Sequence, residues 1–213
     1  ANIVVANKSP MNESTMKDAK QVKMICQLST GYDNVDIEYC KNRGIHVANA
    51  RNYSTAAVAQ HTVALALSVL ENLPYYDNYV KSGAYASQPR FAHFKPWYEL
   101  EGKTWGIAGM GNIGRRVAKA AEALGCKVIF YATSGHSDCR DYERVDWDTL
   151  LAQSDILSLH CPLSDRTFHL MNADAFSKMK KSAVLINVAR GAVVDTDALY
   201  EALVNGEIRG AGT

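Results

Sequence analysis

The sequence predicts an α/β protein: a doubly wound parallel sheet with helices on both faces, preceded by a smaller parallel-sheet unit. Three observations carry this. Short apolar runs, among them Val128-Ile129-Phe130-Tyr131, Ile156-Leu157-Ser158-Leu159 and Val184-Leu185-Ile186-Asn187, have almost no polar alternation. Such runs belong to strands buried on both faces, as in parallel sheets. They alternate with segments of helical spacing, the pattern of crossover connections between parallel strands. One strand–helix junction, Gly109-Met110-Gly111-Asn112-Ile113-Gly114, is rich in glycine.

Taken in order, residues 3–6 and 23–28 read as strands, 35–42 as a short helix closed by Arg43-Gly44, and 45–48 as a third strand. Ser54 is suited to cap a helix over 55–70, with Val58, Thr62, Leu65 and Val69 at helical spacing. Residues 72–100 are rich in aromatics and weak in periodicity, which suggests an arm; its aromatic side chains could bury against a second subunit or against the chain's own surface. A strand over 104–108 leads into the glycine turn. A helix over 115–124 follows, with Val117, Ala121 and Leu124 on one face and Gly125 as its stop. Strands over 127–131, 156–160, 183–188 and 208–211 then alternate with helices over 148–153, 174–180 and 197–205, the last closed by Gly206.

The 213 residues are 47% hydrophobic and 21% charged, with 23 Lys+Arg against 22 Asp+Glu. A core of ordinary size is expected, and the balanced charge gives no support to a nucleic-acid partner. No apolar run reaches 18 residues, so no membrane span is expected. Cys26, Cys40, Cys126, Cys139 and Cys161 are odd in number and form no C-x-x-C pair, so neither a metal site nor a disulfide framework is expected. Reduced thiols in a cytoplasmic protein are the plain reading. The chain opens strand-like and stops within a predicted strand, and is therefore read as a fragment cut at both ends.

Gly109, Gly111 and Gly114 fit the G-x-G-x-x-G pattern of a Rossmann dinucleotide site, with a strand before and a helix after. In that reading Gly109 permits the tight turn and Gly111 lets backbone approach the diphosphate. Gly114 lets helix and strand close up, and the N–H groups near Asn112 and Ile113 face the phosphates. The alternative is a glycine turn with no ligand. An acidic residue is expected about 20 residues on, where it holds the adenosine ribose of NAD and repels the extra phosphate of NADP. That place reads Tyr131-Ala132-Thr133-Ser134-Gly135. Ala132 can do neither task, whereas Thr133 and Ser134 are small donors, with His136 and Arg140 nearby. NAD is the expected cofactor and NADP is possible.

Arg190 follows the last buried strand of this pattern, where an open α/β sheet has its ligand crevice. An arginine there can bind a carboxylate through two hydrogen bonds and polarise a neighbouring carbonyl. On position alone it is equally a structural arginine paired with a loop carboxylate.

The stretches GKTWGIAGMGNIGRRVA, HCPLSDRTFHLMN and MKKSAVLINVARGAVVDTDALYEAL together resemble the D-isomer-specific 2-hydroxyacid dehydrogenases. LSTGYDNVDIEYCKNRGIHVANA and YSTAAVAQHTVALAL extend the likeness over essentially the whole chain, with wording nearest the glycerate dehydrogenase and hydroxypyruvate reductase branch. The resemblance implies a partial, flavodoxin-like substrate-binding domain over 1–52. It implies a nucleotide-binding domain over 53–213, truncated at its C-terminus, with a dimerisation helix and arm over about 53–100. It implies a homodimer and a small 2-oxo or 2-hydroxy acid as substrate. Arg190 would hold the substrate carboxylate and keto oxygen, with the backbone of Thr30 and Gly31 on the same carboxylate. Asn112 and Ile113 would meet the diphosphate, His160, Cys161 and Pro162 would line the adenosine side, and Val188 and Ala189 the nicotinamide side. The family's catalytic His and its acidic partner follow the arginine signature at a distance that falls after Thr213, so this chain alone is expected to lack the general acid. A missing general acid typically costs on the order of 10²–10⁴ in rate. A dinucleotide-sensing corepressor of the same fold, and a relative oxidising formate or phosphite, are the alternatives.

Overall fold

Two parallel sheets form where the apolar runs stand closest together. A computed structural model describes residues 1–87 and 95–213 and divides the chain into two units, Ala1–Thr55 and Ala56–Thr213. Residues 88–94, with His93 and part of the expected arm, lie outside the described residues.

The smaller unit runs β1 (Ile3–Ala6), α1 (Glu13–Met16), β2 (Met24–Gln27), α2 (Ile37–Asn42) and β3 (His46–Asn49). The strands pair in parallel in the order β1-β2-β3. Asn12 caps α1, and Asp36 caps α2 by accepting the Tyr39 N–H at 2.8 Å. Ile25 and Ala6 on one sheet face pack with Met16, Val22, Val35, Cys40 and Ile45.

The larger unit begins with α3 (Thr55–Leu70), α4 (Leu73–Lys81) and α5 (Ala84–Ser87). There follow β4 (Thr104–Ala108), α6 (Asn112–Ala123), β5 (Lys127–Tyr131), β6 (Glu143–Arg144), α7 (Trp147–Gln153) and β7 (Ile156–Leu159). Then come α8 (Ala173–Ser177), β8 (Val184–Asn187), a 3-10 turn (Gly191–Val193), α9 (Thr196–Val204) and β9 (Gly210–Gly212). All six strands are parallel, in the order β6-β5-β4-β7-β8-β9. The chain winds outward from β4 to β6, returns to the middle, and winds the other way from β7 to β9. That is the doubly wound Rossmann order, with its switch point between β4 and β7.

Alternate residues of each strand feed two cores. Trp105, Ile107, Phe130, Val184 and Ile186 pack with Ala66 and Leu70 of α3 and with Val117 and Ala121 of α6. Ile129, Leu157, Leu159 and Leu185 pack with Leu150 and Leu151 of α7, Phe176 of α8 and Ala202 of α9. Both sheet faces are covered, which is why these strands lack polar alternation.

Several expectations change. The buried stripe of α3 is Ala59, Thr62, Ala66 and Leu70, while Val58, Leu65 and Val69 are only half-buried. Small residues let α3 lie close on the sheet, and Thr62 satisfies its hydroxyl by donating to the Val58 carbonyl at 2.8 Å. α6 starts at Asn112, three residues before the expected place, because its first turn is part of the glycine fingerprint. Leu124 is the C-cap of that helix and 40% exposed, so it does not share the buried face of Val117 and Ala121. The aromatic stretch contains a regular helix, α4, started by left-handed Asn72 and by Pro74 in its first turn, where a missing N–H costs nothing. Among the described residues no single helix is long and apolar enough to cross a membrane.

Candidate functional site

The C-terminal ends of β5, β4, β7 and β8 stand side by side in the sheet, and each is followed by residues singled out in the sequence. Thr133 and Ser134 follow β5, Gly109 to Gly114 follow β4, His160 to Pro162 follow β7, and Val188 to Arg190 follow β8. Strands stand about 4.8 Å apart, so the edge from β5 to β8 spans roughly 14 Å. The row straddles the switch point, where an open α/β sheet forms its crevice.

The three fingerprint glycines answer to different constraints. Gly109 has φ +100°, and a Cβ there would lie 2.9 Å from the His160 carbonyl carbon and oxygen. It also donates its N–H to Tyr131 O at 3.0 Å, which ties the turn to the end of β5. A Cβ on Gly114 would collide with the Gly109 carbonyl oxygen, so this glycine lets α6 close on the turn. Gly111 differs. Its backbone is ordinary extended chain (φ −82°, ψ −162°), and nothing stands within 4 Å of a Cβ built on it. The protein's own packing therefore does not require glycine at 111, and the space over its backbone is open. Gly111 is also the N-cap of α6 and offers no side-chain cap to the first-turn N–H groups. Open space at a helix N-terminus with its positive dipole end fits a diphosphate.

The loop after β5 is a tight turn. Gly135 N donates to Ala132 O at 2.8 Å, leaving Thr133 and Ser134 at its corner. Arg144 fixes it from β6 by donating to Gly135 O at 2.9 Å. Ser134 is exposed, its hydroxyl donating to His136 O at 2.9 Å, and Ala132 is 3% exposed.

His160 stands at the end of β7 with its N–H on Ala108 O at 2.8 Å. Its Nε2 lies 3.1 Å from Ser158 Oγ, which already accepts the Trp105 indole N–H at 2.9 Å. A serine hydroxyl accepts two hydrogen bonds and donates one, so Ser158 can either donate to Nε2 or accept a proton from it, and the contact is compatible with both neutral tautomers of His160. Nδ1 is buried without a hydrogen-bond partner among the described residues. Burial pushes the imidazole pKa from 6.5 down to about 4, so His160 is neutral at pH 7. Cys161 is 4% exposed, and burial pushes its thiol up to about 11; its side chain belongs to the core. Pro162 is exposed.

The depressed pKa of His160 has a stability consequence. The unfolded chain takes up a proton below about pH 6.5 and the native fold resists it. The stabilisation is complete above pH 6.5 and is lost as pH falls towards 4. At about 1.4 kcal/mol per unit the loss approaches about 3 kcal/mol. Urea unfolding at pH 7 and pH 4.5 should show that slope, and His160→Gln should flatten it. An identical slope in the variant would contradict the assignment.

Arg190 stands on a turn braced from two sides. Asn187, 8% exposed at the end of β8, donates Nδ2–H to Arg190 O and accepts the Ala189 N–H, both at 3.0 Å. On the other side His169 N donates to Ala192 O at 2.9 Å and Met171 N to Val193 O at 3.1 Å. Asp195 N returns a bond to Met171 O at 2.9 Å. Arg190 is exposed and its Nη1 donates to Ala189 O at 2.9 Å, while Val188 and Ala189 are half-buried. Sequence reading assigned no role to Asn187 or to the Trp105–Ser158–His160 chain. Their partners become visible only once β4, β7 and β8 are placed side by side.

Thr30 and Gly31 belong to the smaller unit. Their carbonyls are engaged, that of Thr30 by Asn49 Nδ2 at 2.7 Å and that of Gly31 by Ser29 Oγ at 2.6 Å.

Comparison with known proteins agrees with this geometry. Residues 63–213 match the family described as D-isomer specific 2-hydroxyacid dehydrogenase, NAD binding domain. The glycerate dehydrogenase of Methylorubrum extorquens is 40% identical over 213 residues, covering 100% of this chain and 66% of its own length. The glyoxylate reductase of Thermococcus litoralis is 40% identical over 207 residues, covering 95% and 62%. Among solved structures, the D-lactate dehydrogenase of Aquifex aeolicus, complexed with NAD and lactic acid, matches with TM-score 0.88 and 35% identity, covering 99% of this chain and 63% of that one. An acyclic imino acid reductase in complex with NADPH and D-Arg matches with TM-score 0.90 and 32% identity, covering 99% and 67%. The chain thus spans about two thirds of the length of these relatives. With its six-stranded order, its open glycine turn at Gly111 and its braced Arg190 turn, the chain belongs to the D-isomer-specific 2-hydroxyacid dehydrogenases and carries their NAD-binding domain.

Proposed function

We propose that the protein interconverts a small D-2-hydroxy acid and its 2-oxo acid, of the glycerate/hydroxypyruvate or glyoxylate type, with a nicotinamide dinucleotide. The observation that carries this is the alignment on one sheet edge of a glycine turn shaped for a diphosphate and an arginine turn two strands away. The bound nicotinamide supplies or accepts the hydride. Arg190 binds the substrate carboxylate and polarises the carbonyl to be reduced, stabilising the charge that develops on its oxygen. Its bracing by Asn187 fixes the main chain from which the guanidinium extends before substrate arrives, so less ordering is left to the reaction. By family resemblance the amides of Thr30 and Gly31 are assigned to substrate carboxylate binding, their carbonyls being engaged within the smaller unit. Gly109, Gly111, Asn112, Ile113 and Gly114 hold the diphosphate. His160, Cys161 and Pro162 line the adenosine side, Thr133 and Ser134 the ribose, and Val188 and Ala189 the nicotinamide. Cofactor choice is open to NADP as well as NAD.

We assign no described histidine of this chain as the proton donor. His46, His61 and His136 are exposed on the surface, and burial keeps His160 neutral. His169 sits 3.5 Å from Asp195, the carboxylate that caps α9. By family resemblance the donor follows the arginine signature. Residues 1–52 are proposed to contribute to the substrate domain. The helix α3 and the arm after it, with Leu73, Val80, Tyr85 and Trp97 exposed, are proposed as the contact of a homodimer. Five free cysteines fit a reducing, cytoplasmic setting.

The test is a paired assay. The 213-residue chain should bind NADH, read as quenching of tryptophan emission. The intact protein should in addition oxidise NADH with hydroxypyruvate or glyoxylate. Binding with no turnover of any small 2-oxo acid by the intact protein would overturn the activity, and absence of binding would overturn the site.

A further inference from the structure

We propose that the Arg115–Asp138 ion pair sets the cofactor preference. While Asp138 holds the guanidinium, the ribose end of the site takes adenosine without a 2′-phosphate; once Arg115 is released, it takes the 2′-phosphate of NADP. This rests on the dinucleotide reading of the glycine turn.

Arg115 lies in the first turns of α6, immediately after Gly114, and its Nη2 makes a close ion pair with Asp138 Oδ1. Asp138 sits in the loop after β5, three residues past the turn that carries Thr133 and Ser134. Gly109 N on Tyr131 O joins the glycine turn to that same strand end. The pair therefore ties the start of α6 to the loop after β5, the loop in which a ribose-holding acid stands in an NAD-preferring chain and which carries Ala132 here. The carboxylate is present after all, displaced six residues along the loop, but it faces a cation rather than the ribose position.

The chemistry of the pair suits a competition with phosphate. An arginine fork binds a phosphate dianion at least as well as a carboxylate. The Arg115 side chain is 31% exposed and that of Asp138 is 97% exposed. Solvent-exposed ion pairs hold weakly, so a tethered dianion can displace the carboxylate. A second cation beside the turn, Arg144, is committed to Gly135 O. Arg115, whose partner is the exposed Asp138, can change partners without undoing the turn; Arg140 lies exposed further along the same loop but makes no described ion pair with Asp138. With Asp138 in place, its charge both occupies the fork and repels the incoming phosphate. NAD, lacking that phosphate, does not engage the pair.

The test measures equilibrium dissociation constants of NAD and NADP for the intact protein. It compares wild type, Asp138→Ala, Asp138→Asn, Arg115→Ala and the Arg115→Ala/Asp138→Ala double variant, with Asp141→Asn as a control for nearby negative charge. Removing the Asp138 carboxylate should tighten NADP about tenfold and leave NAD within about twofold. In the Arg115→Ala background the same removal should change nothing, and Asp141→Asn should leave the ratio as in wild type. An unchanged NADP constant in both Asp138 variants would overturn the proposal. So would a gain that persists without Arg115 or is matched by Asp141→Asn, since that is a general field effect. Weakened NAD on removal of Asp138 would mean that the carboxylate binds the ribose itself, and would overturn it too. Wild-type protein that binds neither dinucleotide overturns the underlying site; binding of NAD with an unmoved ratio overturns this inference alone.

Discussion

Replacing Arg190 with alanine should lower kcat/KM of the intact enzyme for a small 2-oxo acid by about 10²–10³, the usual cost of removing one preorganised donor from a developing oxyanion. The dissociation constant of NADH should stay within about twofold, because the guanidinium lies on the β8 turn while the diphosphate cradle lies after β4. The fold should be unaffected. The bonds that shape the turn run from Asn187 and from the 169–171 segment to main chain, and alanine leaves them in place. Arg190→Lys should recover only part of the loss, since an ammonium cannot present the planar two-bond fork. Steady-state kinetics with hydroxypyruvate or glyoxylate reads the first effect and fluorescence titration the second. If NADH binding fell as much as turnover, Arg190 would be a structural arginine of the cofactor loop, the alternative its position alone leaves open.

Gly111→Asp should separate stability from binding. Aspartate is a preferred N-cap and its charge faces the positive end of α6, so the folded chain should be as stable as wild type or more so by about 0.3–1 kcal/mol. Room exists for the side chain, as nothing stands within 4 Å of a Cβ there. The same carboxylate would occupy the place of the diphosphate and repel it, and NAD affinity should fall by about 10²-fold or more. Gly114→Ala should do the reverse in kind. Its Cβ meets the Gly109 carbonyl oxygen, an overpacking expected to cost about 1–3 kcal/mol of stability. Urea unfolding and NADH titration on both variants check the contrast. Equal NAD affinity in Gly111→Asp and wild type would mean that the glycine turn is not the cradle.

The parts of this fold legible in the sequence are those whose signal is local. β4 and β5 were readable to the residue, because each is an apolar run bounded by polar or glycine punctuation and buried on both faces. Gly125 and Gly206, at φ +82° and +66°, stop α6 and α9 as glycine after a helix should. Reading the strands as parallel also predicted that the glycine turn and Arg190 would share one edge of the sheet. Where elements carry no local signal, the reading stopped. β6 is two exposed residues, Glu143 and Arg144, and has no apolar pattern to find. α3 buries Ala59, Thr62, Ala66 and Leu70 while Leu65 and Val69 pack half-buried beside β9, so the expected stripe caught this face in part and missed its small residues. The supports of the site were out of reach for another reason. Trp105 and Ser158 are 53 residues apart, and Arg115 and Asp138 are 23 apart; each pair is joined only by strand order. Asn187 was in plain view, but its role depends on a turn that bends the chain back onto it.

The central claim is that the backbone beside Gly111 carries a diphosphate and so brings a nicotinamide ring to Arg190. A crystal structure of the intact protein with NADH tests it most directly. The account predicts the diphosphate over the N–H groups at the start of α6, the adenosine towards β5, and the nicotinamide over Val188 and Ala189 with the Arg190 guanidinium facing its reactive carbon. A dinucleotide bound elsewhere, or one seated in the turn with Arg190 directed away from the ring, would contradict it.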